Sequence, residues 1–61
     1  MDSFDVLIVE NKTRKVDAVI GKSLSERKAE QREMTGISRI NSNYHVRTEI
    51  AGLYKEGDII K

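Results

Sequence analysis

The side chains with the clearest capacity for chemistry are His45, Arg47 and Glu49, which alternate along one polar stretch of the chain. A catalytic histidine requires a carboxylate that orients its ring and a nucleophile within reach. In an extended chain Glu49 lies roughly 13 Å from His45, because each strand residue advances the backbone by about 3.3 Å. No dyad forms locally, so the spacing predicts an exposed strand histidine and not a catalytic one.

Three glutamates, Glu26, Glu30 and Glu33, recur at helical spacing and would share one side of a helix. A carboxylate stripe of this kind can bind a hard cation or imitate phosphates. Because Lys28 and Arg32 lie on the same short segment and weaken its field, we interpret the stripe as a solvated helix face. With no cysteine and one histidine in the sequence, we expect neither a metal nor a cofactor.

Basic side chains gather in the middle of the chain, and we expect them to contact a partner because arginine dominates binding hot spots. Two alternatives use the same region. Stacking of Tyr44 and His45 on bases would create a nucleic-acid site, and Arg39 with Arg47 could hold a nucleotide phosphate. The predicted partner-binding residues are Arg27, Lys28, Arg32, Arg39, His45 and Arg47.

The composition indicates one small domain with an almost even charge balance. The 61 residues include 11 basic and 10 acidic side chains, a net charge of +1, and they are 34% charged and 38% hydrophobic. Nucleic-acid binders usually carry a basic excess. The first apolar run is short and follows two acidic residues, so it does not resemble a signal peptide, and no segment is long enough to span a membrane. We therefore expect a cytoplasmic protein.

Two strand-like runs open the chain, Phe4 to Val9 and Lys15 to Ile20, and the polar residues between them predict a hairpin. Ser25 is the predicted N-cap of a helix that begins at Glu26. Gly36 is expected to end this helix in a left-handed conformation.

A rival capping box joins Ser23 to Glu26 at the start of the helix.

Tyr44 to Ile50 alternates apolar and polar side chains, which predicts a strand with one buried and one solvated face. Leu53 to Ile60 predicts a turn at 56–58 and a short last strand. The fold class is therefore α+β, a small antiparallel sheet of three to four strands with one helix in the order β-β-α-β-(β), as a single domain over residues 1–61.

The apolar runs create an imbalance in burial between the two faces of the predicted sheet. Val6 to Val9 is continuously apolar, whereas a strand with one wet face alternates. One mostly polar helix covers a single face, so we expect a second copy of the chain to cover the other, as a homodimer with an interface at Leu7, Val9 and Val19. The alternative is that loops of the same chain fold over this face.

A set of residues with characteristic spacing runs through the middle of the chain: Leu24-Ser25, Ala29, Thr35-Gly36, Arg39-Ile40-Asn41, Tyr44 and Val46. On this spacing the segment from Asp5 to Val46 resembles small accessory proteins encoded by phages and prophages of Gram-positive bacteria. The β-β-α-β layout is also similar to phage-encoded inhibitors of host enzymes, such as uracil-DNA glycosylase inhibitors and some anti-CRISPR proteins. No catalytic motif accompanies the resemblance.

Together these observations predict a non-enzymatic, phage-type accessory protein that works in the host cytoplasm. It would inhibit a host protein of defence or nucleic-acid processing by covering part of that protein's surface. A small nucleic-acid-binding regulator and a nucleotide-binding sponge at a dimer interface are the alternatives. An enzyme is not expected, because the sequence offers one histidine, no cysteine and no carboxylate pair around a cleft.

Overall fold

The structure is a computed structural model that describes residues 2–60. These residues form three strands and one helix in the order β1 (Phe4–Glu10), β2 (Val16–Leu24), α1 (Glu26–Ile37) and β3 (Tyr44–Ile50). The strands make one antiparallel sheet in the order β2-β1-β3, so the first strand lies in the centre. The predicted α+β class is confirmed.

Strand β3 pairs with β1 in an unbroken register from Phe4 opposite Ile50 to Glu10 opposite Tyr44. The side chains at 45, 47 and 49 therefore lie on the same face as Leu7, while the even-numbered side chains of β3 lie on the other face. The predicted hairpin is also confirmed, although β2 continues to Leu24, past the expected end at Ile20.

Helix α1 crosses the face of the sheet that carries the even-numbered side chains of β3. Ser25 caps it as predicted, since its hydroxyl accepts a hydrogen bond from the Lys28 N–H at 3.4 Å, and the rival capping box does not form. Within residues 2–60, no helix combines the length and apolar character that a membrane crossing needs.

Gly36 does not stop the helix, which continues to Ile37, and its backbone is not left-handed. Its role is steric, because a Cβ added at Gly36 would lie 2.6 Å from Cδ1 of Ile20 and 3.1 Å from Cγ2 of Val46. The missing side chain lets the helix approach the sheet closely, which the sequence interpretation as a helix stop overlooked.

We expect Gly36→Val to lower the free energy of unfolding by about 2 kcal/mol, through overpacking against Ile20 and Val46. Valine has a higher helix propensity than glycine, so a loss can arise only from packing. Urea denaturation measures the change, with Thr35→Val on the exposed neighbouring position as the control. Equal stabilities of the two variants would contradict this role for Gly36.

The opposite face of the sheet is covered by the C-terminal segment, residues 51–60. Leu7, Val9, Val16 and Ile60 form a buried cluster, against which the partly buried Val19 and Tyr54 pack. The segment is held by backbone bonds to the start of β2: the Val16 N–H donates to Asp58 O at 2.7 Å and the Ile60 N–H donates to Arg14 O at 2.9 Å.

This arrangement corrects the predicted oligomer interface. Leu7 and Val9 are only 0% and 1% exposed and Val19 packs against their cluster, so the chain encloses this face by itself. The burial argument for a homodimer therefore fails here, and the alternative of cover by the same chain holds. The predicted turn forms at 56–57, but the segment adds only one bridge, Lys15 with Ile59, and not a fourth strand.

Candidate functional site

A polar pocket of about 200 Å³ lies where the β1–β2 turn meets the open part of the face that carries His45. The turn contributes Asn11 and Arg14, and β3 contributes His45 and Arg47. Two apolar side chains, Val9 and Ile60, line it from the buried cluster. The register between β1 and β3 brings the turn and His45 together. Val9 lies opposite His45, and the turn begins directly after β1 ends at Glu10.

The ring of His45 is held in one orientation by Asn11. The Asn11 amide donates from Nδ2 to Ser42 O at 2.8 Å, which leaves Oδ1 as the acceptor that faces His45 Nδ1 at 2.6 Å. This contact fits a proton on His45 Nδ1, with Nε2 as the remaining ring nitrogen. A neutral ring offers an acceptor at Nε2, and a doubly protonated ring offers a donor and a positive charge.

Arg14 occupies an unusual backbone position for its type. Its φ of 61° lies in the left-handed region, which glycine and asparagine adopt most readily. The turn is closed by the Arg14 N–H, which donates to Glu10 O at 2.8 Å, and by the Glu10 N–H, which donates to Lys15 O at 2.9 Å. A glycine would meet the requirement of the turn without strain, so the turn itself does not explain the arginine.

Arg47 forms an ion pair with Glu49, two residues along the same strand, through its Nε–H. The remaining N–H groups of the guanidinium are not used by this pair. Glu49 lies opposite the buried Asp5 in the sheet, and two adjacent carboxylates repel. Arg47 thus has a structural task beside any role in the pocket.

The pocket is suited to holding one anionic group. Arg14 and Arg47 bring positive charge, Asn11 positions the imidazole of His45, and guanidinium groups bind carboxylate and phosphate with charge-assisted hydrogen bonds. Its volume is below the 300 Å³ or so of typical small-molecule sites, so it fits a side chain or terminal group better than a whole ligand.

The lining of the pocket combines His45 with two arginines, one asparagine and two apolar residues. Neither a serine nor a threonine lines the pocket beside His45, and no group of three His, Cys, Asp or Glu side chains that could hold a metal ion occurs within 2–60. His45 is the one side chain of this lining that belongs to a nucleophilic type, and its Nδ1 faces the Asn11 amide and not a carboxylate.

The six predicted partner-binding residues do not form one surface. His45 and Arg47 meet at the pocket, whereas Lys28 and Arg32 line a separate depression of about 440 Å³ between α1 and the end of β2. Arg39 follows the helix and lies with Ile8 on the helix-covered side of the sheet. Arg27 is exposed on α1. The structure thus divides the predicted set into a helix group and a pocket pair.

This division also affects the predicted phosphate grip. Arg39 and Arg47 lie on opposite faces of the sheet, so one chain cannot close both guanidinium groups on one phosphate. Sequence reasoning missed Asn11 and Arg14, which complete the pocket. The only available signal was the position of both in a hairpin turn, and without the register of β3 that position does not point to His45.

Comparison of the chain with protein-family models, curated proteins and solved structures gave no match. The geometry of this site and the exposed surfaces around it are therefore the basis for a function.

Proposed function

We propose that the chain is a non-enzymatic binding protein, of the accessory type that phages encode, and that it occupies a surface of a host protein of defence or nucleic-acid processing. Its pocket receives a carboxylate from an acidic side chain of that partner. The observation that carries the proposal is Arg14, a left-handed non-glycine residue that belongs to the lining of the pocket together with His45 and Arg47. Strain retained where glycine would fit favours a role for the guanidinium.

The surroundings of the pocket support binding to a protein more than to bases. The three aromatic side chains do not stack beside His45: Tyr44 and Phe4 belong to the helix-covered face, and Tyr54 packs against the buried cluster. A sheet that reads single-stranded nucleic acid presents aromatic rings on its open face. Inhibition would be steric, because the bound chain covers the partner's surface and adds no reaction of its own.

The test uses Arg14→Gly, because this variant removes the guanidinium and also relieves the backbone. We expect the free energy of unfolding to stay equal or to rise by about 0.5 kcal/mol, while affinity for the partner falls about tenfold, as for a typical hot-spot arginine. Tagged chain retains the partner from a lysate of a Gram-positive bacterium, and calorimetry with the purified partner gives the affinity.

Lys12→Ala is the matched control, since it removes the same charge from the same exposed turn without touching the pocket. A partner that binds Arg14→Gly as tightly as the unchanged chain would contradict the assignment. A titration with salt separates the alternative of a nucleic-acid-binding regulator, because phosphate binding weakens steeply as salt rises. Tight binding of DNA or RNA with that salt dependence would replace the proposed function.

A further inference from the structure

The outer edge of β3 is free within the part of the chain that the structure describes. This strand pairs with β1 alone and ends the sheet on that side. The Asn11 N–H donates to Asn43 O and the Ala51 N–H donates to Ser3 O, both at 2.9 Å, which shows that the odd-numbered residues of β3 bond toward β1. The N–H and C=O groups of Val46 and Thr48 consequently point outward.

Such an edge is a template for another extended chain. A strand that paired here would lie about 4.8 Å from β3, and every second side chain of it would stand on the helix-covered face. The other side chains would lie on the face that carries His45. Side chains of the added strand on the helix-covered face would therefore lie beside the even-numbered side chains of β3 and beside helix α1.

On that side the added strand would meet a groove of about 210 Å³ between α1 and β3. Its apolar part comes from Phe4 and Ala29. Its charged part is the glutamate rim, defined as Glu26, Glu30 and Glu33, and no basic side chain lines the groove. Glu33 is fixed directly over β3, since its Oε2 accepts a hydrogen bond from the Thr48 hydroxyl at 2.6 Å.

We infer that the β3 edge and the glutamate rim together bind an extended segment of a partner protein that carries lysine or arginine at alternate positions. Backbone hydrogen bonds to Val46 and Thr48 hold the segment, and its basic side chains reach the rim. The negative charge of the rim favours a basic segment over others. An acidic or neutral strand would form the same backbone hydrogen bonds but would not be attracted to the glutamates.

A second copy of the chain is a poorer occupant of this edge. Antiparallel pairing of β3 with itself about a two-fold axis keeps both helices on one face of the enlarged sheet. The glutamate rims of the two copies would then face each other, and like charges repel across such a contact. This surface is separate from the Arg14 pocket, so the two proposals can fail independently.

The experiment uses two synthetic peptides of about seven residues, near the usual strand length, which alternate valine with lysine in one and with glutamate in the other. Amide spectra of the ¹⁵N-labelled chain are recorded during titration. We expect the lysine peptide to shift the amides of Val46 and Thr48 and to bind at least about tenfold more tightly than the glutamate peptide. A lysine peptide N-methylated at every amide should not bind, since none of its N–H groups remains to complete the ladder.

Glu30→Lys should weaken the lysine peptide about tenfold, and Glu56→Lys, an equal charge change at an exposed site in the C-terminal segment, should leave it unchanged. Three results would overturn the inference: equal binding of both peptides, full binding of the N-methylated peptide, or no shift of the β3 amides. A homodimer in light scattering whose β3 amides resist hydrogen exchange would overturn it as well.

Discussion

Replacing Ile60 with alanine is expected to lower the free energy of unfolding by about 2–5 kcal/mol, the range for truncation of a buried isoleucine. Ile60 is 1% exposed and closes the cluster formed by Leu7, Val9 and Val16. A chain of 61 residues is stable by roughly 3–9 kcal/mol in total. The variant should therefore be substantially unfolded at moderate urea concentrations, where the unchanged chain remains folded.

Ile59→Ala provides a closely matched control, because the neighbouring isoleucine is 52% exposed and its loss should change stability by less than about 0.5 kcal/mol. The pair also decides between the chain's own segment and a second copy as the cover of this face. If a dimer covered it, the two variants would behave alike, and the unfolding midpoint would rise with protein concentration.

The strands were predictable because their side chains alternate with a period of two residues, and no helical period fits the same residues. Tyr44 to Ile50 alternates cleanly, and the structure gives β3 these same bounds. Ser25 was predictable as a cap for a similarly local reason, since its hydroxyl needs only the backbone three residues ahead. Both features depend on neighbours along the chain, which a sequence displays directly.

The packing of the helix was not predictable, since its buried positions are small. Ala29 and Gly36 face the sheet, whereas Met34, a much larger apolar side chain of the same helix, is 73% exposed. A hydrophobic pattern identifies a buried face only when large apolar residues mark it. Here the helix is buried by lying close to the sheet and not by large side chains. A glycine in the sequence is compatible both with such close packing and with a helix end, so Gly36 did not distinguish them.

The cover of the second face and the pocket depend on contacts between distant parts of the chain. Ile60 reaches Leu7 only because the C-terminal segment folds back along Arg14 and Val16. The segment has little regular structure, so its sequence predicts only a turn and a short last strand and does not show that Ile60 closes the core. The β1–β3 register is equally long-range, and it brings the hairpin turn that contains Arg14 next to His45.

The second large effect is expected for Asp5→Ala. Asp5 is 2% exposed, and its carboxylate accepts two backbone hydrogen bonds, from the Ser23 N–H at 2.8 Å and from the Gly52 N–H at 3.0 Å. It thereby joins the end of β2 and the turn after β3 to the central strand. Alanine would leave both N–H groups without their acceptor, and hydrogen bonds to a charged group contribute about 1.5–3 kcal/mol each.

We expect Asp5→Ala to lose about 3 kcal/mol or more, and Asp5→Asn to lose less because its amide keeps one acceptor oxygen. Ser23 makes the cost larger, since its left-handed backbone, with φ of 54°, depends on the bond to Asp5 for support. Asp17→Ala on the exposed side of β2 is the control. Urea denaturation that ranked Asp5→Ala with Asp17→Ala would show that the carboxylate does not join these segments, and the fold would then need another explanation for the left-handed Ser23.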